Sequence, residues 1–584
     1  MAANEPVDDF IIIGIDFGTT YSGIAWAYSR EPEEIELVTS WDSELNHCSD
    51  VEKAPTQLFY DDDKDTTWGY SVPADKDALK WFKLLLLDTA DIPANMLSSS
   101  QLSKARDLLD GIKKDPVEVI ACFLRKIWNH AIDSIRRSVG VELLQQSRFH
   151  VVITLPAIWP PYAQQRMKQA ATISGILDAR SCGETTLRFI SEPEAAALAT
   201  IKDLSKRSTI KLGDTMVICD AGGGTVDLIS YVVESTAPFI VKECVKGEGG
   251  LCGGVFLDER FLDLIKSKVA PGSWSSVSNS DEKKFLNDGW EHGIKPQFSN
   301  QNRTWLVDLP DSCGSAASKR KLKRRKSLEL SSHDILSVYS PIVDQIEALV
   351  HHQTRAIQSK YSQPAKYVIL VGGFGRSSYL YNKLHSTLGS SVLQSRGNKP
   401  WTAICRGAVV HGITSYGLST TVGVRVGARI ARRSYGIRFR TKFNPKIHDI
   451  SDRFWADDRQ EWRAKQQMRW FLKEGDDMMT KKPVRHEYNN LYSGRIGQIK
   501  TIIYSSSQFP PPKRSDPAVQ ELCEIRWTQD VDIESLPTYT NTLGKVYHRL
   551  KYEVEMTCDD GIVDFTVYYQ GKRVGAHNVD VQFR

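Results

Sequence analysis

Two stretches of the chain share one hydrophobic pattern, in which an apolar run ends at an aspartate, a turn of small and hydroxyl residues follows, and a second apolar run leaves. Residues 13–20 read Ile-Gly-Ile-Asp-Phe-Gly-Thr-Thr, and residues 218–225 read Ile-Cys-Asp-Ala-Gly-Gly-Gly-Thr. Apolar, β-branched runs separated by glycine-rich turns are typical of strand-turn-strand units. The pattern predicts two related hairpins, which we call the first and second clamps.

The turn of each clamp has the composition of a phosphate-binding loop. Glycine lets the backbone approach closely enough for its N–H groups to hold phosphate oxygens, and threonine hydroxyls add donors. A carboxylate beside a phosphate needs a hydrated hard cation between the two, which gives the aspartates a role. One copy alone is weak evidence, since such a turn is more often a plain hairpin.

A third loop strengthens the phosphate-binding interpretation. Residues 366–377 read Lys-Tyr-Val-Ile-Leu-Val-Gly-Gly-Phe-Gly-Arg-Ser, which predicts a buried strand, a glycine turn and then a helix. The three glycine-rich loops, taken in order, resemble the actin-like ATPase superfamily and, within it, the 70-kDa heat-shock protein (DnaK-type) family.

Helices and strands alternate between these loops. Apolar spacing predicts helices at 115–138 and 332–359, and a strand-helix-strand crossover over 149–190. After about Gly417 the pattern becomes short, alternating and rich in Tyr and Val, which predicts an all-β module. Its predicted strands are residues 421–429, 435–440, 498–505, 547–557, 562–570 and 578–583.

We therefore predict an α/β fold, a two-lobed actin-like ATPase with ribonuclease H-like halves, followed by a C-terminal all-β, sandwich-like domain. The predicted divisions are a polar tail at 1–9, lobe I at 10–212, lobe II at 213–416 and the β domain at 417–584. The position of the β domain and its Gly571-Lys572-Arg573 hairpin resemble the peptide-binding β-sandwich of the family. The family's leucine-rich linker at the junction and its helical lid are not found in the sequence.

The resemblance implies that ATP or ADP lies between the lobes with Mg2+. The residues that it assigns to nucleotide binding are Gly18, Thr19, Thr20, Tyr21, Gly222, Gly223, Gly224, Thr225, Gly372, Gly373 and Arg376. Those that it assigns to hydrated Mg2+ are Asp16, Asp220 and Asp227. Those that it assigns to catalysis, by orienting the attacking water, are Asp16, Asp220 and Glu192. For Glu192 a plain helix N-terminus is the alternative interpretation.

The sequence departs from the family at the catalytic lysine. In the family this lysine follows an Ile-Gly-Asp-Ala-Ala pattern, whereas the matching segment here, Trp68-Gly69-Tyr70-Ser71-Val72, is followed by Pro73. Lys76, Lys80 or Lys83 could substitute. If none does, we expect slow hydrolysis, because phosphoryl transfer depends on placed positive charge.

Two further segments match the family in part. An acidic pair that usually follows a glycine turn is replaced by Val255 and Phe256. Residues 290–295 fall where the family places an adenosine-contacting helix, with Glu291 and Lys295 four residues apart. A solvated ion pair would explain that spacing equally well.

Composition narrows the remaining choices. With 75 basic and 71 acidic residues, the net charge of +4 argues against general nucleic-acid or acidic-membrane binding. The ten cysteines include no C-x-x-C pair, and no secretory signal or membrane-spanning run is present, which favours the cytoplasm. The basic run at 319–326 leaves a nuclear import signal, a polyanion patch and a solvated loop open.

Three functions fit the sequence. The first is a heat-shock-type ATPase whose β domain binds unfolded or peptide clients. The second is a nucleotide-binding scaffold with little hydrolysis, which Pro73 favours. The third is a sugar-kinase-like phosphotransferase, because sugar kinases share the clamps, although the β domain argues against it.

Overall fold

The structure is a computed structural model. It describes residues 9–43, 50–61, 66–73, 75–92, 97, 99–157, 159–205, 210–313, 327–418, 424–479, 483–527, 531–559, 562–574 and 580–583. Internal contacts divide the chain into two units, residues 1–426 and 427–584. The predicted boundary at 416/417 lies ten residues before the observed one. The basic run at 319–326 lies outside the described residues.

The first half of unit 1 is a mixed sheet with helices. Its strands lie in the order Glu36–Leu37, Tyr21–Tyr28, Phe10–Phe17, Arg148–Leu155 and Thr186–Ser191, and Ala54–Pro55 pairs with Tyr21–Tyr28. The first clamp is its antiparallel hairpin, and the next two strands run parallel to Phe10–Phe17. The predicted parallel crossover is therefore confirmed.

Helices pack on this sheet where the apolar spacing predicts them. The helix Pro116–Val139 begins at a capping box, in which the Asp115 carboxylate accepts from Val117 N–H and Glu118 reaches back to the Asp115 backbone. The other helical segments described in this half are the 3-10 helices Gly69–Ser71, Phe82–Leu86 and Thr89–Asp91 and the α-helices Ser100–Ile112, Val141–Gln146, Pro161–Ser174 and Glu192–Ser205. A small sheet joins Gln57–Phe59 to Thr67–Trp68 and Leu79–Lys80.

The second half of unit 1 repeats this plan. Its strands lie in the order Val392–Gln394, Tyr367–Val371, Thr215–Ala221, Val226–Thr236 and Phe239–Gly250. The second clamp is again an antiparallel hairpin beside a parallel strand. Its helices are Val255–Lys268, Asn279–Phe285, the π-helix Leu286–Ile294, Lys295–Gln297, Ser332–Tyr361 and Ser378–Leu388, and Thr304–Asp308 pairs with Ser327–Ser331.

The helix Lys399–Ser415 closes unit 1 by packing on both halves. Gly407 on this helix allows the closest approach, since a Cβ there would lie 1.7 Å from the carbonyl oxygen of Ala195. The two-lobed α/β architecture predicted from the loops is thus confirmed.

Unit 2 is a β-sandwich, because residues of two sheets share one core. One sheet has the order Arg453–Ala456, Glu461–Leu472, Ser434–Lys442, Ile499–Ser506, Gln520–Trp527 and Asp580–Phe583. The other has the order Val484–Tyr492, Val546–Asp559, Ile562–Tyr569 and Lys572–Arg573, with Thr538–Thr540 also on Val546–Asp559. The strand Val424–Ile430 pairs with Asp477–Met479.

The all-β character of the C-terminal region is confirmed, and so is the hairpin at Gly571, across which Tyr568 pairs with Arg573. The sequence analysis did not predict four of the strands, namely Arg453–Ala456, Glu461–Leu472, Val484–Tyr492 and Gln520–Trp527. Within the described residues, no helix combines the length and apolar character that crossing a bilayer demands.

Candidate functional site

The turns of the two clamps face each other across unit 1. A Cβ built on Gly223 would lie 2.0 Å from Thr20 Oγ1, and one built on Gly224 would lie 3.6 Å from Thr19 Cγ2. The bare backbone at Gly223 is therefore what lets the turns approach. Residues predicted to bind nucleotide from opposite halves of the chain are brought together here.

The turn of the second clamp is fixed by its own backbone and by the start of the helix Val255–Lys268. Gly222 N–H donates to the Thr225 carbonyl at 2.9 Å, and Val255 N–H donates to the Gly223 carbonyl at 2.9 Å. At Val255, where the family's acidic pair is missing, the backbone thus supports the turn.

The turn of the first clamp is held by Thr56. Its N–H donates to the Thr20 carbonyl at 2.8 Å, and its hydroxyl donates to the Gly18 carbonyl at 2.8 Å. The adjoining residues Ala54 and Pro55 pair with the second strand of the hairpin. These contacts fix the position of the residue that precedes them, Lys53.

Four buried carboxylates, Asp16, Glu192, Asp220 and Asp227, belong to the strands and the helix start around the turns. Asp220 and Asp227 are paired across the second clamp. Burial raises the pKa of Asp220 well above its usual value, and the charges of Glu192, Asp227 and Asp16 raise it further. The concentration of buried negative charge favours a positively charged partner.

Lys53 is one such partner that the sequence analysis missed. Its ammonium group forms a buried ion pair with the Asp16 carboxylate. Burial alone would lower the pKa of Lys53, but the charge and hydrogen bond of Asp16, together with the charges of Cys405 and Asp220, raise the pKa overall. The only sequence signal is indirect, since Gly23 lies opposite Asp16 in the clamp and leaves space for a long side chain.

Lys83 is the second buried cation. It pairs with the Glu192 carboxylate, and its Nζ lies 5.7 Å from the ring centroid of Phe17. Burial raises the pKa of Glu192, although Lys83 opposes that shift. Of the three lysines considered as substitutes for the family's catalytic lysine, Lys83 reaches a predicted catalytic residue, whereas Lys76 and Lys80 are exposed.

The carboxylates of the second clamp could hold a hydrated cation, whereas the carboxylate of the first clamp, Asp16, is already paired with a lysine. Asp220 Oδ1 is buried and has no hydrogen-bond partner among the described residues, so it has acceptor capacity for a ligand. Asp16 already binds Lys53. Within the described ranges, no group of three His, Cys, Asp or Glu side chains is placed to hold a metal directly, and Mg2+ commonly keeps several waters.

The third loop lies against the second clamp. Gly372 has φ of +84°, and a Cβ there would lie 2.4 Å from Asp220 Oδ1. The Arg376 guanidinium carbon lies 5.7 Å from the Trp401 ring centroid, and Tyr21 packs edge-on against the same ring with centroids 5.7 Å apart. Trp401, which the sequence analysis missed, joins one predicted residue from each half of the chain.

The Glu291–Lys295 pair belongs to a half-buried network that also includes Asp258 and Trp290. Lys295 Nζ lies 2.7 Å from both Glu291 Oε2 and Asp258 Oδ1, and Trp290 Nε1 donates to the same Asp258 oxygen at 2.6 Å. Burial raises the pKa of Asp258 to about 6, against the pull of Lys295. A Cβ built on Gly254 would lie 3.8 Å from Lys295 Nζ, which places this network beside the glycine turn that braces the second clamp.

The chain matches two family models. The model described as Hsp70 protein matches residues 95–445. A second model, described as a domain of unknown function (DUF8568), matches residues 429–568. The Hsp70 match spans more than half of the sequence, and the chain belongs to the Hsp70 family.

Curated relatives place the chain among divergent members. It is 22% identical to the human protein "Heat shock 70 kDa protein 12A" over 496 residues, which covers 70% of each chain. It is 24% identical to human "Heat shock 70 kDa protein 12B", covering 75% of this chain and 72% of the relative. A "Mitochondrial-type heat shock protein 70" of Encephalitozoon cuniculi is 28% identical and covers 52% of this chain and 46% of its own length.

Proposed function

We propose that this chain is a heat-shock-type ATPase that binds ATP or ADP between the two halves of unit 1. One observation carries the proposal: the glycine turns of the two clamps meet face to face, with buried carboxylates behind them. Opposed backbone turns can hold a chain of phosphates from both sides, and the acids can organise a hydrated cation and water.

Individual residues take their roles from this arrangement. Gly222, Gly223 and Thr225 bind phosphate from one side, and Thr19 and Thr20 bind it from the other. The set formed by Gly18, Tyr21, Gly224, Gly372, Gly373, Arg376 and Trp401 completes the nucleotide cradle.

The catalytic roles fall to the buried charges. Mg2+, when bound, supplies a Lewis acid for the phosphate oxygens. Asp220 and Asp227 hold its water shell, and Glu192 orients the attacking water. Lys83, which pairs with Glu192, supplies the positive charge of the family's catalytic lysine, whose position is occupied here by Pro73.

Phosphate release from the purified full-length chain tests the proposal. We expect release with ATP and Mg2+, stimulated by unfolded peptides if unit 2 binds clients, and unchanged by added sugars. The matched control is Glu192→Gln, which keeps the shape of the side chain and should bind ATP with little release. Absence of both binding and release in the wild-type protein would refute the proposal.

A nucleotide-binding scaffold with little hydrolysis is the second candidate. It is favoured by a specific observation, namely that both buried lysines already pair with carboxylates. Binding of ATP without phosphate release would decide for this candidate.

A further inference from the structure

Lys53 reaches Asp16 through a passage that the first clamp leaves open. Asp16 lies directly opposite Gly23 in the hairpin. A Cβ on Gly23 would lie 2.7 Å from Lys53 Cγ, so any other residue at this position would collide with the lysine stem. The hairpin is therefore built to admit this side chain.

The backbone of Lys53 is fixed as firmly as its side chain. Ala54 and Pro55 extend the edge of the hairpin, and Thr56 donates to the carbonyls of Gly18 and Thr20 in the turn. The Lys53 ammonium is thus anchored to the same turn that faces the second clamp.

The charge balance around the turns explains what such a lysine can do. Asp16, Glu192, Asp220 and Asp227 are buried there with the ammonium groups of Lys53 and Lys83. The positive charge of Lys53 also acts on Asp220 and Glu192, not only on its direct partner. The Lys53 ammonium already neutralises Asp16, so a polyphosphate bound between the turns does not need a metal ion to do so.

We propose that Lys53 is a built-in counter-cation at Asp16, which allows this chain to bind nucleotide without Mg2+. The proposal rests on the proposed nucleotide function. It assigns Lys53 a positioning and charge-neutralising role in binding, whereas Asp220 and Asp227 remain the residues that a hydrated Mg2+ would use during hydrolysis.

Calorimetric titration of the full-length chain with ADP and ATP, in EDTA and in MgCl2, tests this. We expect wild-type affinities in the two buffers to agree within about threefold, because the site carries its own cation. We expect Lys53→Met to bind at least about tenfold more weakly in EDTA, which is about 1.4 kcal/mol, and to recover in MgCl2.

Two further variants keep the test decisive. Lys53→Gln keeps a hydrogen-bond donor for Asp16 but removes the charge. We expect it to lose affinity in EDTA and to recover in MgCl2, so it can serve as the test if the methionine variant fails to fold. Lys104→Met removes an exposed lysine that pairs with Asp77, and it should titrate as the wild type does in both buffers.

The outcomes separate the two proposals. A wild-type affinity that is about thirtyfold or more weaker in EDTA than in MgCl2 would overturn the role of Lys53. So would Lys53→Gln binding that is as independent of metal as the wild type. No titration signal from the wild type in either buffer would instead refute the proposed nucleotide function.

Discussion

Asp16 and Asp220 occupy the same position in two hairpins of one design, yet their surroundings are opposite in charge. Opposite Asp16 stands Gly23, which leaves space for Lys53 to pair with the acid. Opposite Asp220 stands a second acid, Asp227, and Asp220 Oδ1 has no hydrogen-bond partner among the residues that the structure describes. The first clamp therefore has its own cation, the Lys53 ammonium, whereas the acids of the second clamp would be stabilised by a cation that binds with the ligand.

This difference shows how two related halves can share work that neither does alone. In the first clamp, Thr56 holds the turn and Lys53 pairs with the Asp16 carboxylate without any ligand. In the second clamp, burial and the neighbouring acids raise the pKa of Asp220 and so disfavour its charged form, which a bound cation would favour. Variants of the two aspartates should therefore diverge.

The largest effect is expected for Asp16→Asn. It leaves the Lys53 charge buried without a carboxylate, and removing one partner of a buried ion pair costs roughly 3 to 5 kcal/mol. We expect the lower end, because the amide oxygen still accepts from Lys53. Denaturant unfolding measures the loss of stability.

The control for Asp16→Asn is Asp77→Asn. Asp77 pairs with Lys104 at 2.8 Å on the surface, where such pairs contribute at most about 1 kcal/mol. Equal losses of stability in the two variants would mean that the Asp16–Lys53 pair contributes no more than a surface contact.

A second large effect is expected for Gly223→Ala, which tests the contact between the clamps. The new Cβ would lie 2.0 Å from Thr20 Oγ1, so the turns must separate. We expect ATP to bind at least about a hundredfold more weakly, or about 2.8 kcal/mol. Isothermal titration measures this.

Gly111→Ala is the matched control for the glycine variant. Gly111 lies in the helix Ser100–Ile112, and nothing lies within 4 Å of its Cβ position. The control should bind ATP as the wild type does. Wild-type affinity in Gly223→Ala would show that the two turns do not act together on one ligand.

Asp220→Asn should change stability in the direction opposite to Asp16→Asn. The amide leaves a polar atom at this position but cannot carry the negative charge that burial and the neighbouring acids disfavour, and an unsatisfied buried group costs about 1 to 3 kcal/mol, more when it is charged. We therefore expect the ligand-free protein to gain up to that amount in unfolding free energy. A loss of stability as large as that of Asp16→Asn would mean that Asp220 has a partner of its own.

The loops that define the fold and the site were predictable because their chemistry is local. Glycines, threonines and aspartates at fixed spacing produced the two clamps and the third loop, and the Hsp70 match supports the fold that they imply. Lys53 was not identified, because a lysine in an irregular segment carries no periodic signal. Lys83 was named as one of three possible substitutes for the family's lysine, but the sequence could not single it out. Only the folded hairpin shows that Gly23 admits Lys53.

The missed strands have a different cause. Glu461–Leu472 contains register shifts against its neighbour, and Gln466 there has φ of +62°. Such a bulge changes which face successive side chains occupy, so alternation breaks within one strand. Val484–Tyr492 alternates in burial over its first six residues, but its polar composition hides the strand in a hydropathy pattern.

The smallest effect concerns a further difference between the halves, in the strand beside each clamp. Tyr367 is the neighbour of Met216 in the second half, whereas in the first half the neighbour of the equivalent residue, Ile12, is His150. The His150 ring stacks on Tyr416 with centroids 3.5 Å apart. Burial lowers the pKa of His150 to about 4, and nearby arginines add to the shift.

This shift predicts a pH dependence with a definite sign. The folded pKa of His150 lies below the unfolded value, so the unfolded chain takes up the proton first as pH falls, and stability is lost between about pH 6.5 and pH 4. We expect a loss of about 1 to 2 kcal/mol in unfolding free energy, less than the full pKa shift allows because the site retains some solvent access.

His150→Gln should abolish this part of the pH dependence, whereas His333→Gln, at an exposed position, should leave it intact. Urea unfolding of the three proteins at neutral and mildly acidic pH makes the comparison. Parallel pH profiles for wild type and His150→Gln would show that the imidazole titrates as freely in the folded strand as in the unfolded chain.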